Sequence, residues 1–164
     1  MKSRVLHASL LIIAAIALIL FFWREMNMSY IESLRTMIQS GDLKGVSRLI
    51  REDPQLLEAD LDTYRGHNLR PLRYAAEVDD APICRALLDF GADVNASDSA
   101  GQTPLQAAAA NCNTGLIVTL LDHGADITFR NSMRRTPLDN AREMKAPDAV
   151  VEILLAAMAK ATNH

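Results

Sequence analysis

Cysteine is scarce in this chain: two in 164 residues, Cys84 and Cys112, 28 positions apart. That excludes a disulfide-dense scaffold and a four-cysteine zinc site. Aromatic residues make up only 5% of the chain, too few for the core of a β-sandwich or barrel. Seven glycines and six prolines exclude collagen and Gly/Pro-rich low-complexity disorder. Positive charge is not in excess either, since 17 Lys and Arg against 20 Asp and Glu leave a net charge of −3. Without a basic excess there is no broad phosphate-neutralising surface, so no nucleic-acid partner is expected. What is abundant is alanine and leucine, within a hydrophobic fraction of 49% and a length that suits one domain.

Catalytic patterns are missing as well. There is no Gly-x-Ser-x-Gly, no Walker loop and no Gly-x-Gly-x-x-Gly. His7, His67, His123 and His164 are scattered without ligand spacing. His123 directly precedes Gly124, where a cation meets the negative end of a helix dipole. Asp79-Asp80 lies in a turn before Pro82 and reads as helix capping rather than a catalytic carboxylate pair. No nucleophile, base and orienting group can be assembled. The chain is expected to be a non-enzyme with no catalytic residues, no metal, no cofactor and no small-molecule substrate.

The apolar residues are distributed unevenly. From Val5 to Trp23 nineteen residues run without Asp, Glu, Lys or Arg. A helix of that length covers about 28 Å, close to the roughly 30 Å hydrocarbon core of a bilayer. Phe21, Phe22 and Trp23 crowd its end as an interfacial aromatic belt does. A cleaved secretory signal is the competing reading, but the segment leaves through FFWREMNM rather than small residues of an A-x-A type. The residues therefore predict an uncleaved transmembrane anchor over 5–23. Lys2 and Arg4 precede it, and the positive-inside rule keeps residues 1–4 cytoplasmic. Residues 24–28 follow as a linker and 29–164 are exported. In a bacterium this is a single-pass inner-membrane protein with its domain in the periplasm.

Beyond residue 28 the chain repeats. Pro71-Leu72, Pro104-Leu105 and Pro137-Leu138 are spaced by 33 residues, and so are Gly91-Ala92-Asp93 and Gly124-Ala125-Asp126. Leu87-Leu88, Leu120-Leu121 and Ile153-Leu154 keep the same step. Thr103 before Pro104 reads as an N-cap followed by proline at the first helical position. Leu116, Ile117, Leu120 and Leu121 fall at helical spacing on a second helix, which Gly124 ends as a left-handed cap. Cys84, beside Ile83 and Leu87, reads as a small buried hydrophobe. A bridge from it to Cys112 would have to join a helix interior to a turn in the next repeat, at variance with disulfide reach. Each helix pair is too small to bury its own stripe, so the core arises by stacking.

The stretch GQTPLQAAAANCNTGLIVTLLDHGAD, Gly101–Asp126, resembles an ankyrin repeat. The resemblance implies an all-α solenoid of about four helix-turn-helix repeats with short hairpin loops, preceded by the one transmembrane helix. The repeats fall at about 29–64, 65–97, 98–130 and 131–164. Ser40-Gly41-Asp42-Leu43 supplies the inter-helix turn of the first and Leu49-Ile50 its apolar pair. The step from Ile50 to Leu88 is 38, which puts about five extra residues between them, within Asp53–Leu69. The sequence also departs from the family pattern. Arg73, Gln106 and Asp139 replace the histidine after Thr-Pro-Leu, whose capping hydrogen bond is then expected to be missing. Arg70 stands in place of a threonine, and Cys112 in place of the inter-helix glycine.

The resemblance further implies a protein-binding surface on hairpin tips and the exposed faces of first helices. By position these are Gly66, His67 and Leu69 with Glu77 and Val78, then Ser99, Ala100 and Gln102 with Ala110 and Asn111. In the fourth repeat they are Ser132, Met133 and Arg135 with Glu143 and Met144. Arg130, Arg134 and Arg135 make the last tip basic, in a region with 15 basic and 20 acidic residues after Trp23. The expected role is a membrane-anchored module that binds another protein. Similarity to bacterial ankyrin proteins facing the periplasm implies an immunity protein that neutralises a secreted toxin, or an accessory to an envelope or oxidative-stress enzyme. A cytoplasm-facing adaptor is the alternative topology.

Overall fold

The computed structural model describes residues 2–62 and 66–162, without the side chains of 2–14, 23–25, 27 and 162. The described residues form eight α-helices: α1 (Lys2–Ser40), α2 (Leu43–Glu52), α3 (Pro71–Glu77), α4 (Ala81–Asp89), α5 (Pro104–Ala110), α6 (Thr114–Asp122), α7 (Pro137–Glu143) and α8 (Asp148–Thr162). The odd-numbered helices stack in one layer, α1 on α3 on α5 on α7, and the even-numbered ones form a second layer behind them. The result is an all-α solenoid of four helix-turn-helix units, the first using the C-terminal part of α1.

Helix starts follow from the residues at the caps. Thr103 Oγ1 accepts from the Gln106 amide at 3.2 Å, and Gln106 Oε1 accepts in return from the Thr103 amide at 3.1 Å. Thr136 and Asp139 repeat this reciprocal box at α7, at 3.2 and 2.9 Å. The capping bond expected to be lost with the histidine is therefore made, because glutamine and aspartate also place an acceptor within reach of the cap N–H. Unlike α5 and α7, α3 starts without a side-chain cap, at Arg70. Asp42, Asp80 and Asn113 cap the outer helices at 2.9 Å each. Asp80 is thus a cap, and Asp79 accepts from Asn113 Nδ2 at 2.8 Å. His123 closes α6 with Nδ1 2.7 Å from the Thr119 carbonyl.

The turns impose left-handed backbone at fixed places. Gly91 and Gly124 end the outer helices with φ of 92° and 85°. The turn between paired helices puts Gly41, Asp79, Cys112 and Lys145 at φ of 72°, 62°, 57° and 54°. Cys112 thus fills the predicted glycine position, at a cost of roughly 1–2 kcal/mol for a residue with a Cβ.

Small residues line the contacts between inner helices. Ala75, Ala76, Ala108, Ala109 and Ala141 are all fully buried. Behind them lie the outer-helix stripes, Ile83, Cys84 and Leu87 on α4 and Leu116, Ile117 and Leu120 on α6, also fully buried. Leu34 and Ile38 of α1 join Val46, Leu49 and Ile50 of α2 in the same core. The extra residues after α2 form a 3-10 helix, Pro54–Glu58. Leu56, Leu57 and Leu61 of this insertion are buried, so it extends the core rather than looping away.

Residues 24–28, predicted as a linker, are helical and continuous with the rest of α1. Ile16 and Leu18 to Phe22 are more than half exposed. The remainder of the predicted anchor, residues 5–14 and Trp23, lies outside the described side chains. Among the described residues no helix is long and apolar enough to cross a membrane.

Both cysteines are free. Burial, reinforced by the negative charges of Asp80 and Asp79, pushes the Cys84 thiol up from 9.0 to about 12. The folded chain therefore holds a proton that the unfolded chain releases above about pH 9. The stabilisation is complete below pH 9 and drains as pH rises towards 12, by at most about 1.4 kcal/mol per pH unit. Urea denaturation of the full chain in detergent micelles at about pH 8 and about pH 10 should show a larger loss of stability for the native protein than for Cys84→Ala. Equal losses would contradict this proton linkage.

Candidate protein-binding surface

The third and fourth hairpin tips are each built by one residue, 33 positions apart. Asp98 Oδ1 accepts the amides of Ala100 and Gln102, both at 2.9 Å. Asn131 Oδ1 accepts those of Met133 and Arg135, both at 3.0 Å. Short polar side chains of this type fold a tip onto themselves without a strand ladder. Consecutive tips are then joined by backbone bonds. Ser99 donates to the His67 carbonyl at 2.7 Å and Ser132 to the Ala100 carbonyl at 3.0 Å. The tips make one continuous edge.

Side-chain amides tie the repeats together beneath that edge. Gln106 Nε2 donates to the carbonyls of Arg135 at 2.7 Å and Phe129 at 3.3 Å. Asn111 Nδ2 reaches back to the carbonyls ending α3, Ala76 at 3.0 Å and Glu77 at 3.1 Å. Asn140 Nδ2 lies 3.4 Å from Gln102 Oε1.

This framework sorts the predicted surface residues. Gly66, His67, Ser99, Ala100, Ser132 and Met133 are exposed on the tips. Val78, Asn111 and Met144 are the C-caps of α3, α5 and α7, at the same 33-residue step, and all three are exposed. Because the inner helices stack side by side, these caps form a row. Glu77 and Glu143 stand exposed beside them. Leu69, Gln102, Ala110 and Arg135 are only half-exposed. Arg135 is held by an ion pair to Glu143, and Asn111 and Gln102 spend their amides inside the array. The open part of the surface is carried by Met133, Met144 and Val78, which are 66%, 58% and 38% exposed.

A polar hollow of about 330 Å³ lies between the second and third tips. Arg73 dominates it, although its side chain is only 10% exposed. Its guanidinium spans Glu77 at 2.9 Å and Asp98 at 3.3 Å, while its buried Nε has no partner. His67 Nδ1 pairs with Asp62 at 2.8 Å. Arg35 donates to the Leu61 carbonyl at 3.3 Å and lies over the Tyr74 ring. Arg73 is the contributor that sequence reasoning missed. Its signal was the replaced histidine, whose position points at the next repeat.

At the fourth tip Arg130 Nη1 donates to the Arg134 carbonyl at 2.8 Å. The Thr136 amide and hydroxyl, followed by the charges of Arg130 and Arg142, hold the Asp139 carboxyl below its usual range. On the opposite side an apolar groove of about 860 Å³ runs between α6 and α8, past Val118, Leu121, Ile127 and Ile153. Among the described residues no group of three His, Cys, Asp or Glu is placed to hold a metal ion.

A family model described as ankyrin repeats (3 copies) matches this chain over residues 34–131 and again over 72–163. The chain is also similar to an ankyrin repeat protein of Rickettsia bellii (strain RML369-C), at 29% identity over 74 residues. The match covers 44% of this chain and 44% of that relative, so it spans less than half of the relative's length.

Gln106 is the residue on which the tip geometry leans most heavily. Gln106→Ala leaves the Thr103 amide and two carbonyls of the next repeat without their partner, at a cost of about 1–3 kcal/mol. A urea denaturation series should show that loss. Ser132→Ala, on the exposed tip, should shift stability by less than about 0.5 kcal/mol. Equal effects of the two substitutions would contradict the assigned role of Gln106.

Proposed function

This chain belongs to the ankyrin repeat family, and we propose that it is a membrane-anchored module that faces the periplasm and holds a partner protein on its tips and inner-helix ends. As an ankyrin-repeat protein it is a protein–protein interaction module rather than an enzyme. The observation that carries the proposed surface is the row of Val78, Asn111 and Met144 beside the joined tips. These side chains recur at the repeat step yet lie outside the core. Adaptable apolar side chains framed by polar ones suit the centre of an interface.

The anchor is supported by the run Val5–Trp23 and by the exposure of Ile16 and Leu18 to Phe22. Apolar side chains so placed gain roughly 25 cal/mol per Å² on leaving water, and a bilayer is the environment their length fits. Lys2 and Arg4 ahead of the run favour an exported array. The partner is then a protein this module neutralises, as an immunity protein does a secreted toxin, or supports, as an accessory does an envelope or oxidative-stress enzyme.

Two measurements on bacterial cells producing the full chain test this reading. Alkaline phosphatase fused after His164 should be active, while a reporter that fluoresces only in the cytoplasm should stay dark. A photo-crosslinking residue at Met144 should yield a protein adduct at least about tenfold more abundant than the same residue at Val118 on α6, because a few central residues dominate an interface. An inactive phosphatase with a fluorescent cytoplasmic reporter overturns the topology, and an adduct confined to position 118 moves the interface to the outer helices.

A further inference from the structure

The C-terminal edge of the array carries exposed cations without a close ion-pair partner among the described residues. Arg134 sits at a left-handed tip position, φ 61°, which the two preceding repeats fill with Asn68 and Gly101. A long side chain with a Cβ is conformationally costly there. Arg142 stands one repeat beyond Ala109 and two beyond Ala76, which are fully buried under the next inner helix, yet Arg142 itself is exposed. Arg130 takes the place of Ser97 and is exposed on the same tip. Arg130 Nη1 donates to the Arg134 carbonyl at 2.8 Å, and both Arg130 and Arg142 lie near enough to act on Asp139.

None of the three makes a close ion pair among the described residues, although Arg130 and Arg142 act on Asp139 at longer range. The two carboxylates of α7 are already engaged, Asp139 by the amide and hydroxyl of Thr136 and Glu143 by Arg135. Among the described residues no carboxylate lies within ion-pair distance of Arg130, Arg134 or Arg142. Arg135, the cation that position alone marks for binding, is the one the fold consumes.

We infer that this edge seats an acidic segment of the partner protein, rich in Asp and Glu and carrying an apolar side chain against Met133. The inference rests on the binding role proposed above and gives that partner its chemistry. Guanidinium groups bind carboxylates through paired hydrogen bonds, and complementary charge raises the association rate. Three arginines in an acidic domain fall short of what a nucleic-acid backbone calls for. Met133, 66% exposed beside them, adds an apolar contact that phosphates do not use. A lipid surface fits less well, since the fourth repeat is the farthest from α1 in the stacking order.

The test replaces each arginine with the residue found 33 positions earlier: Arg130→Ser, Arg134→Gly and Arg142→Ala in one variant. Arg134→Gly relieves a left-handed position while Arg130→Ser gives up one exposed bond to the Arg134 carbonyl, so the variant should melt close to the native chain. Fluorescence anisotropy of the full chain in zwitterionic micelles is titrated against a labelled short peptide of Glu, Asp and Leu. Saturable binding is expected that weakens with salt and falls at least about tenfold in the variant. A peptide with Lys in place of the acids, a DNA duplex and phosphatidylglycerol vesicles should not bind. Absent binding, equal affinity in the variant, or binding of duplex or vesicles through these arginines overturns the inference. The adduct from position 144 is recorded alongside. Its persistence with no peptide binding overturns the acidic segment alone, whereas its absence from the native chain overturns the binding surface itself.

Discussion

No helix pair in this chain carries enough apolar surface to stand alone, so everything depends on how closely one inner helix approaches the next. Helices α3, α5 and α7 have seven residues each, about two turns, and isolated helices that short are not stable in water. Alanine at 75, 76, 108, 109 and 141 removes the bulk between them. The backbones then come near enough for amide side chains to cross from one repeat to another, and the outer leucines and isoleucines close behind. Stability is accordingly shared between neighbours rather than owned by a repeat.

The same approach creates the proposed binding surface. Stacking at a constant step brings Val78, Asn111 and Met144 into a row and lets Ser99 and Ser132 bond the preceding tip. Gln106 fixes the spacing of the third and fourth tips from below through two carbonyls. A partner therefore meets an edge whose backbone is already ordered, which lowers the entropy lost on association. The side chains that remain open are those the stacking does not need, and they differ in chemistry from end to end. The second and third tips enclose an ion network around Arg73, and the fourth presents exposed arginines.

The fold was legible because its markers are chemical requirements repeated at one step: proline at a helix start, leucine pairs on the outer stripe, glycine at Gly91 and Gly124. Their meaning needs no knowledge of neighbours. The parts that depend on a neighbour were harder to read. Gln106 and Asp139 looked like lost caps because they differ from histidine, yet what the site demands is an acceptor at a given reach. Arg73 looked like the same loss, and only the position of Asp98 in the next repeat reveals its bridge. Leu56 and Leu57 sat in an apparent insertion whose apolar residues prove to be core. On the surface, exposure at Met133 and Met144 followed from position, but the pairing of Arg135 with Glu143 and the use of Asn111 as a clamp did not. Those contacts join residues from different turns or repeats, which periodicity cannot order.

Close approach across alanine is best tested where it is tightest. Ala108→Leu adds a branched side chain at a fully buried contact, an overpacking expected to cost about 1–3 kcal/mol. Native-state hydrogen exchange on the full chain reads where that cost falls. If stacking is the shared support, amides of α3, α5 and α7 lose protection together, together with those of the tips they carry. Loss confined to α5, with α3 and α7 protected as before, would show that each helix pair stands by itself and would contradict the account.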